Sequence, residues 1–184
     1  MRWFENSWEG REITFPAYDG LPSTTWKLGL KLADERYNQW QASELTEPIS
    51  PAGAWVVFLC TQVGTPGPEH VMKIHMQIPH GETESDEPRT RALQATHNLP
   101  DHARYELEGL QTLKEHSCRS APTLVNYMQH SQDTNSWVPG GYLLYLLMTK
   151  CPGKPIEKFQ EKYDAEREEI RHAFKTAWNV GDVE

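Results

Sequence analysis

Apolar and polar positions alternate along the chain in a way that divides it into elements. Residues 54–63, Ala-Trp-Val-Val-Phe-Leu-Cys-Thr-Gln-Val, are rich in β-branched and aromatic side chains and too short for a typical buried helix, which predicts a strand. Gly64-Thr65-Pro66-Gly67-Pro68 is a turn, and a second strand over about 70–78 follows it. So short a connection cannot support a parallel crossover, so the two form an antiparallel hairpin. Residues 79–100 hold Pro79, Gly81, Pro88, Pro100 and the acidic group Glu82, Glu84, Asp86 and Glu87 with little periodicity, which marks an exposed insertion. Asp101 reads as the N-cap of a helix running to about His116, with Ala103, Leu107, Leu110 and Leu113 in one stripe and Glu106 at its border.

Residues 123–128 read as a strand, 131–136 as a polar loop, and 142–148 as a strand apolar on both parities, hence central and covered on both faces. Over 165–178, Ile170, Ala173, Phe174, Ala177 and Trp178 recur at helical spacing opposite charged residues, which predicts an amphipathic helix. Residues 1–50 carry four of the seven tryptophans, Trp3, Trp8, Trp26 and Trp40, broken by turn signals at Asp19-Gly20-Leu21-Pro22 and Glu47-Pro48-Ile49-Ser50-Pro51. Large aromatics are scarce in disordered chains, so this region is expected to be ordered but irregular, its rings packing a small core.

Composition narrows the function classes. Eighteen basic against 26 acidic residues give a net charge of −8, which disfavours binding to a phosphate backbone. Cys60, Cys118 and Cys151 are odd in number and never form Cys-x-x-Cys, so neither a disulfide framework nor a thiolate metal site is suggested. His70, His75 and His80 recur every five residues, and on a strand that spacing sends neighbours to opposite faces, away from one coordination shell. The N-terminus lacks the apolar core of a signal peptide, and no run reaches the ~20 residues of a bilayer span. An intracellular protein, cytoplasmic or nuclear, with no nucleic-acid or membrane partner, is the expectation.

The order of strand, hairpin strand with Lys73, helix with Glu106, strand, central strand ending in Thr149-Lys150-Cys151-Pro152-Gly153, then amphipathic helix, resembles that of fungal protein-kinase-like proteins. The likeness is most specific in Trp137-Val138-Pro139-Gly140-Gly141-Tyr142 and in residues 166–178, and covers about 54–180. It implies an α+β chain: a Trp-rich segment (1–50), a protein-kinase-like N-lobe with an antiparallel sheet and an αC-type helix (51–150), and a hinge with the amphipathic helix of a truncated C-lobe (151–184). It further implies that Lys73 holds nucleotide phosphates, that Glu106 orients it, that Val71 and Met148 border an adenine pocket, and that the Thr149 carbonyl and Cys151 amide face adenine. ATP is the one cofactor it would bring.

The glycine loop expected before residue 54 is reduced to Ile49-Ser50-Pro51-Ala52-Gly53, and no His-x-Asp loop or metal-binding Asp-Phe-Gly follows. Asp182 lacks the histidine two residues before it. The resemblance therefore implies a pseudokinase-type module that does not catalyse, binds nucleotide weakly if at all, and acts through protein contacts. The apolar face of helix 165–178 would meet another chain or a second copy. Two alternatives are part of a phosphotransferase completed elsewhere and an accessory protein reusing the scaffold.

Overall fold

The computed structural model describes residues 3–17, 20, 22–39, 51–153, 156 and 158–179. Trp40, Asp19, Asp182 and the turn residues 47–50 lie outside the described residues. The strands are β1 (Glu12–Phe15), β2 (Thr24–Lys31), β3 (Arg36–Asn38), β4 (Gly53–Gln62), β5 (His70–Gln77), β6 (Leu124–Ser131) and β7 (Tyr142–Thr149). The α-helices are a single turn α1 (Pro88–Arg91), the longer α2 (Asp101–Glu115) and α3 (Asp164–Asn179). None of the described helices is long and apolar enough to cross a membrane.

All strand pairings are antiparallel, in the order β1-β2-β4-β5-β7-β6 with β3 also on β4. The ten-residue β4 takes β3 along its first half and β2 along its second. The sheet curls until β1 touches β6, which makes a near-barrel. Its interior follows directly from the period of two along the strands. Val56, Phe58 and Cys60 of β4, Met72, Ile74 and Met76 of β5, and Leu143, Tyr145 and Leu147 of β7 point inward, where Phe15, Trp26 and Leu28 meet them. The opposite parity of β7, Leu144, Leu146 and Met148, lies under Ala103 and Leu110 of α2. Both faces of β7 are thus covered, which explains its unbroken apolar sequence.

The N-terminal segment plugs the near-barrel. Trp3, Phe4 and Trp8 enter the inner core, and the amides of Trp3 and Phe4 each donate to a different Glu35 carboxylate oxygen at 2.9 Å. Trp137 Nε1 donates to the Trp3 carbonyl, with the two indoles edge to face. The insertion 79–100 is tied down as well. Gln77, buried on β5, donates to the Gln94 carbonyl at 2.7 Å and accepts from the Thr96 amide at 3.0 Å. Satisfied buried amides of this kind fix a segment that has no hydrophobic periodicity of its own.

The architecture corrects several expectations. Closure of β1 toward β6, with the N-terminal tryptophans inside, is a curled near-barrel rather than an open kinase-like N-lobe sheet. The arrangement of the helices does not match a truncated C-lobe either. The resemblance to fungal protein-kinase-like proteins, in element order and in residues 137–142 and 166–178, is therefore not one of fold, and the pseudokinase-type, phosphotransferase and reused-scaffold readings built on it fall with it. Smaller differences concern ends. The N-cap of α2 is Pro100, and Asp101 is its first helical residue, ion-paired with Arg104 at 2.8 Å.

Candidate functional site

Lys73 and His75 stand two residues apart on β5 and so share its outer face, while His102 and Glu106 stand four apart on α2 and share the side turned to that strand. Two short-range periodicities, one of a strand and one of a helix, thus bring four chemically capable side chains together. The Lys73 ammonium lies 2.6 and 2.7 Å from the two Glu106 oxygens, with the side chains only 19% and 29% exposed. Both carboxylate oxygens face one cation, so neither charge is left over.

His75 is 1% exposed, and its Nε2 is 3.0 Å from Glu106 Oε2. Neither ring nitrogen has an aligned hydrogen bond, so that contact is one of proximity. Trp55 lies opposite His75 in the β4–β5 register and stacks on it at 6.2 Å. His102 closes the group, 4.9 Å from Trp55 and 5.7 Å from His75 between ring centroids.

The electrostatics follow from burial and from the pair. Burial pushes the Glu106 carboxyl up, but His75 and the Lys73 ammonium together outweigh it and hold the group at about 2. Burial lowers His75, against the pull of Glu106. His102 is also lowered, first by burial and then by the charges of His75 and Lys73. With neutral imidazoles and one ion pair the cluster carries no net charge. Its chemistry is that of a clasp between helix and sheet.

That electrostatic arrangement fixes a pH dependence. Both histidines titrate below their ordinary 6.5 when folded, so their contribution is complete above that pH and is lost as pH falls through it. Glu106 acts in the same direction further down, losing its contribution as pH falls from 4.5 toward about 2. The urea midpoint is expected to decline between pH 7 and 5, before most carboxylates titrate, and the decline to flatten in His75→Gln. A midpoint constant across that range would contradict the burial of neutral His75.

The remaining sequence-derived residues are distributed differently. Val71 and Met148 face each other across β5 and β7 and pack into the core beneath α2. Thr149 is bound to Thr123, the residue before β6, through its amide, which donates to the Thr123 carbonyl at 3.0 Å, and its hydroxyl, which accepts from the Thr123 amide at 2.9 Å. Cys151 is exposed and lines a cavity of about 460 Å³ with Thr149, Lys150, Lys114 and Cys118, to which neither Lys73 nor Glu106 contributes. The structure therefore joins Lys73 to Glu106, and Val71 to Met148, but sets Thr149 and Cys151 apart from the ion pair.

Sequence reasoning missed His75, His102 and Trp55. A signal was present: Lys73 with His75 at strand spacing and His102 with Glu106 at helix spacing are two matched pairs. The histidines that recur at five-residue intervals do separate, His70 lying against Trp26 at 4.7 Å while His75 meets Glu106. Among the described residues no group of three His, Cys, Asp or Glu is placed to hold a metal ion. Compared with protein-family models, with curated proteins and with solved structures, the chain matches none of them.

Proposed function

We propose that the chain works by protein contact, as a self-associating module in which α3 pairs antiparallel with α3 of a second copy. The observation that supports this reading is the apolar stripe of α3. Ala173 and Phe174 are exposed, Phe174 by 64%, and Ile170 and Ala177 are only half-buried. Among the described residues, neither core cluster includes one of α3. A helix of sixteen residues is marginal in water by propensity alone, so it gains most of its stability from burying its apolar face.

Charge selects the occupant and its direction. The first seven positions of α3 hold Asp164, Glu166, Glu168 and Glu169 against the single Arg167, and the rest holds Arg171 and Lys175 without an acid. An antiparallel partner of identical sequence sets the acidic half of each helix against the basic half of the other and opposes their dipoles favourably. A parallel partner would set like against like. Tyr163, 87% exposed just before the helix, lengthens the apolar face.

Sedimentation equilibrium across protein concentration tests this. The expected result is a reversible dimer that Ile170→Glu weakens roughly a hundredfold, because two apolar side chains per dimer, worth ~3 kcal/mol together, are lost from the interface. The wild type should melt at a temperature that rises with protein concentration, and Ile170→Glu should lose that dependence while its unfolding stays cooperative. A wild-type chain that stays monomeric at every concentration would overturn the proposal, as would a variant that dimerises equally well.

A further inference from the structure

The fold brings together two cysteines that lie far apart in the chain. Cys118 stands in the segment between α2 and β6, and Cys151 stands just beyond the end of β7. Both line the cavity of about 460 Å³ where those segments meet, Cys151 exposed and Cys118 half-buried. Cys60, the remaining cysteine, is 1% exposed in the core, where burial pushes its thiol up to about 12. The thiols thus divide into an accessible pair and a sequestered one.

The backbone around the pair is anchored on either side of it. The Cys118 amide donates to the Leu113 carbonyl at 2.9 Å, and Thr123 and Thr149 are joined by their two hydrogen bonds. Residues 119–122 and 151–153 belong to no helix or strand, and neither segment makes a hydrogen bond to another described residue. A disulfide needs its two Cα atoms within about 7 Å. Segments free of ladder and helix hydrogen bonds can close to that distance across the cavity without unpairing β6 from β7 or unwinding α2.

Lys114, Arg119 and Lys150 also line the cavity, with no acid among the described lining residues. Lys150 is taken up by Glu69 at 2.7 Å, whereas Lys114 and Arg119 form no ion pair with a described carboxylate. These two cations draw an anionic reagent to the thiols of a chain whose net charge of −8 otherwise repels it.

We infer that Cys118 and Cys151 form a reversible disulfide, made by exchange with a small anionic disulfide, that fastens the C-terminal end of α2 to the segment after β7. Cys151, the more exposed, releases its proton and attacks one sulfur of the reagent. An S–S bond forms to Cys151, and the other half of the reagent leaves as a thiolate. Cys118 in turn releases its proton and attacks the Cys151 sulfur, and the second half leaves in the same way. Two protein thiols are oxidised to one disulfide, and the reagent is reduced to two thiols that take up the two protons. Helix α2, already held to β5 by Glu106, thereby gains a second tie at its end.

Oxidised glutathione, a disulfide with a net negative charge, is the probe. The full chain is treated at low protein concentration, free thiols are alkylated, and peptides are mapped by mass spectrometry without reduction. The expected product is a peptide linked through Cys118 and Cys151, with Cys60 alkylated and both other thiols restored by dithiothreitol. Cys118→Ser should lose the link and hold the glutathione adduct on Cys151, which is the first step trapped. A wild-type chain that stops at the adduct on Cys151 would overturn the inference. So would one that joins two chains through Cys151, or one in which Cys118 and Cys151 are both still alkylated.

Discussion

Glu106→Ala is expected to destabilise the protein by about 3 kcal/mol, the lower end of the range for breaking a buried ion pair. The low end applies because the pair is partly reached by water, at 19% and 29% exposure. Most of the loss comes from what remains behind. Lys73 keeps its charge beneath α2 with no carboxylate to meet it, and His75 loses the one acid beside it. Replacing both partners by apolar residues of similar size, as in Lys73→Met with Glu106→Leu, removes the stranded charge and should recover most of the stability. Urea denaturation of the two single variants and the double variant measures this, and a double variant no more stable than Glu106→Ala would show that the pair contributes more than mutual neutralisation.

The second large effect is steric. A Cβ placed on Gly53 would come 2.2 Å from the Tyr142 hydroxyl oxygen, whereas its next neighbours, Tyr142 Cζ and the Met76 carbonyl, lie at 3.5 and 3.6 Å. Gly53→Ala should therefore cost about 2 kcal/mol by overpacking. Tyr142 is fully buried and its hydroxyl has no hydrogen-bond partner. Tyr142→Phe removes an unsatisfied polar group and is expected to be neutral or stabilising by up to ~1 kcal/mol. In that background only ordinary contacts remain, so Gly53→Ala should become nearly silent. Strictly additive effects in the double-mutant cycle would place the clash elsewhere.

The parts of the fold legible in the sequence are those fixed by local periodicity. Strands β4, β5 and β7 and helices α2 and α3 fall within a few residues of where their apolar patterns place them, because burial on one or both faces leaves a period in the sequence. The closure of the sheet leaves no such trace. It depends on β1 reaching β6 and on Trp3 and Phe4 being held by Glu35 and Trp137, contacts between residues far apart in the chain. Element order was therefore compatible with an open kinase-like lobe as well as with a near-barrel, and only the long-range contacts separate the two.

The insertion 79–100 was illegible for a different reason. Its order comes from hydrogen bonds of Gln77 and Gln94 rather than from apolar spacing, and an amide in a loop has no periodic signature. The candidate site was half legible. Lys73 and Glu106 stand out by type and position, and the structure makes them partners. What the sequence hides is that both carboxylate oxygens turn to the lysine and that His75, His102 and Trp55 gather beside the pair. A lysine and a glutamate at suitable positions can serve a ligand or each other. The distances and burial here favour the second.

Amide hydrogen exchange along α2, measured in the wild type and in Glu106→Ala under native conditions, tests most directly whether this pair clasps the helix to the sheet. The expected result is a loss of protection of roughly a hundredfold in α2 around Ala103 and Leu110, the factor that corresponds to about 3 kcal/mol. Unchanged protection of α2 in the variant would contradict the clasp.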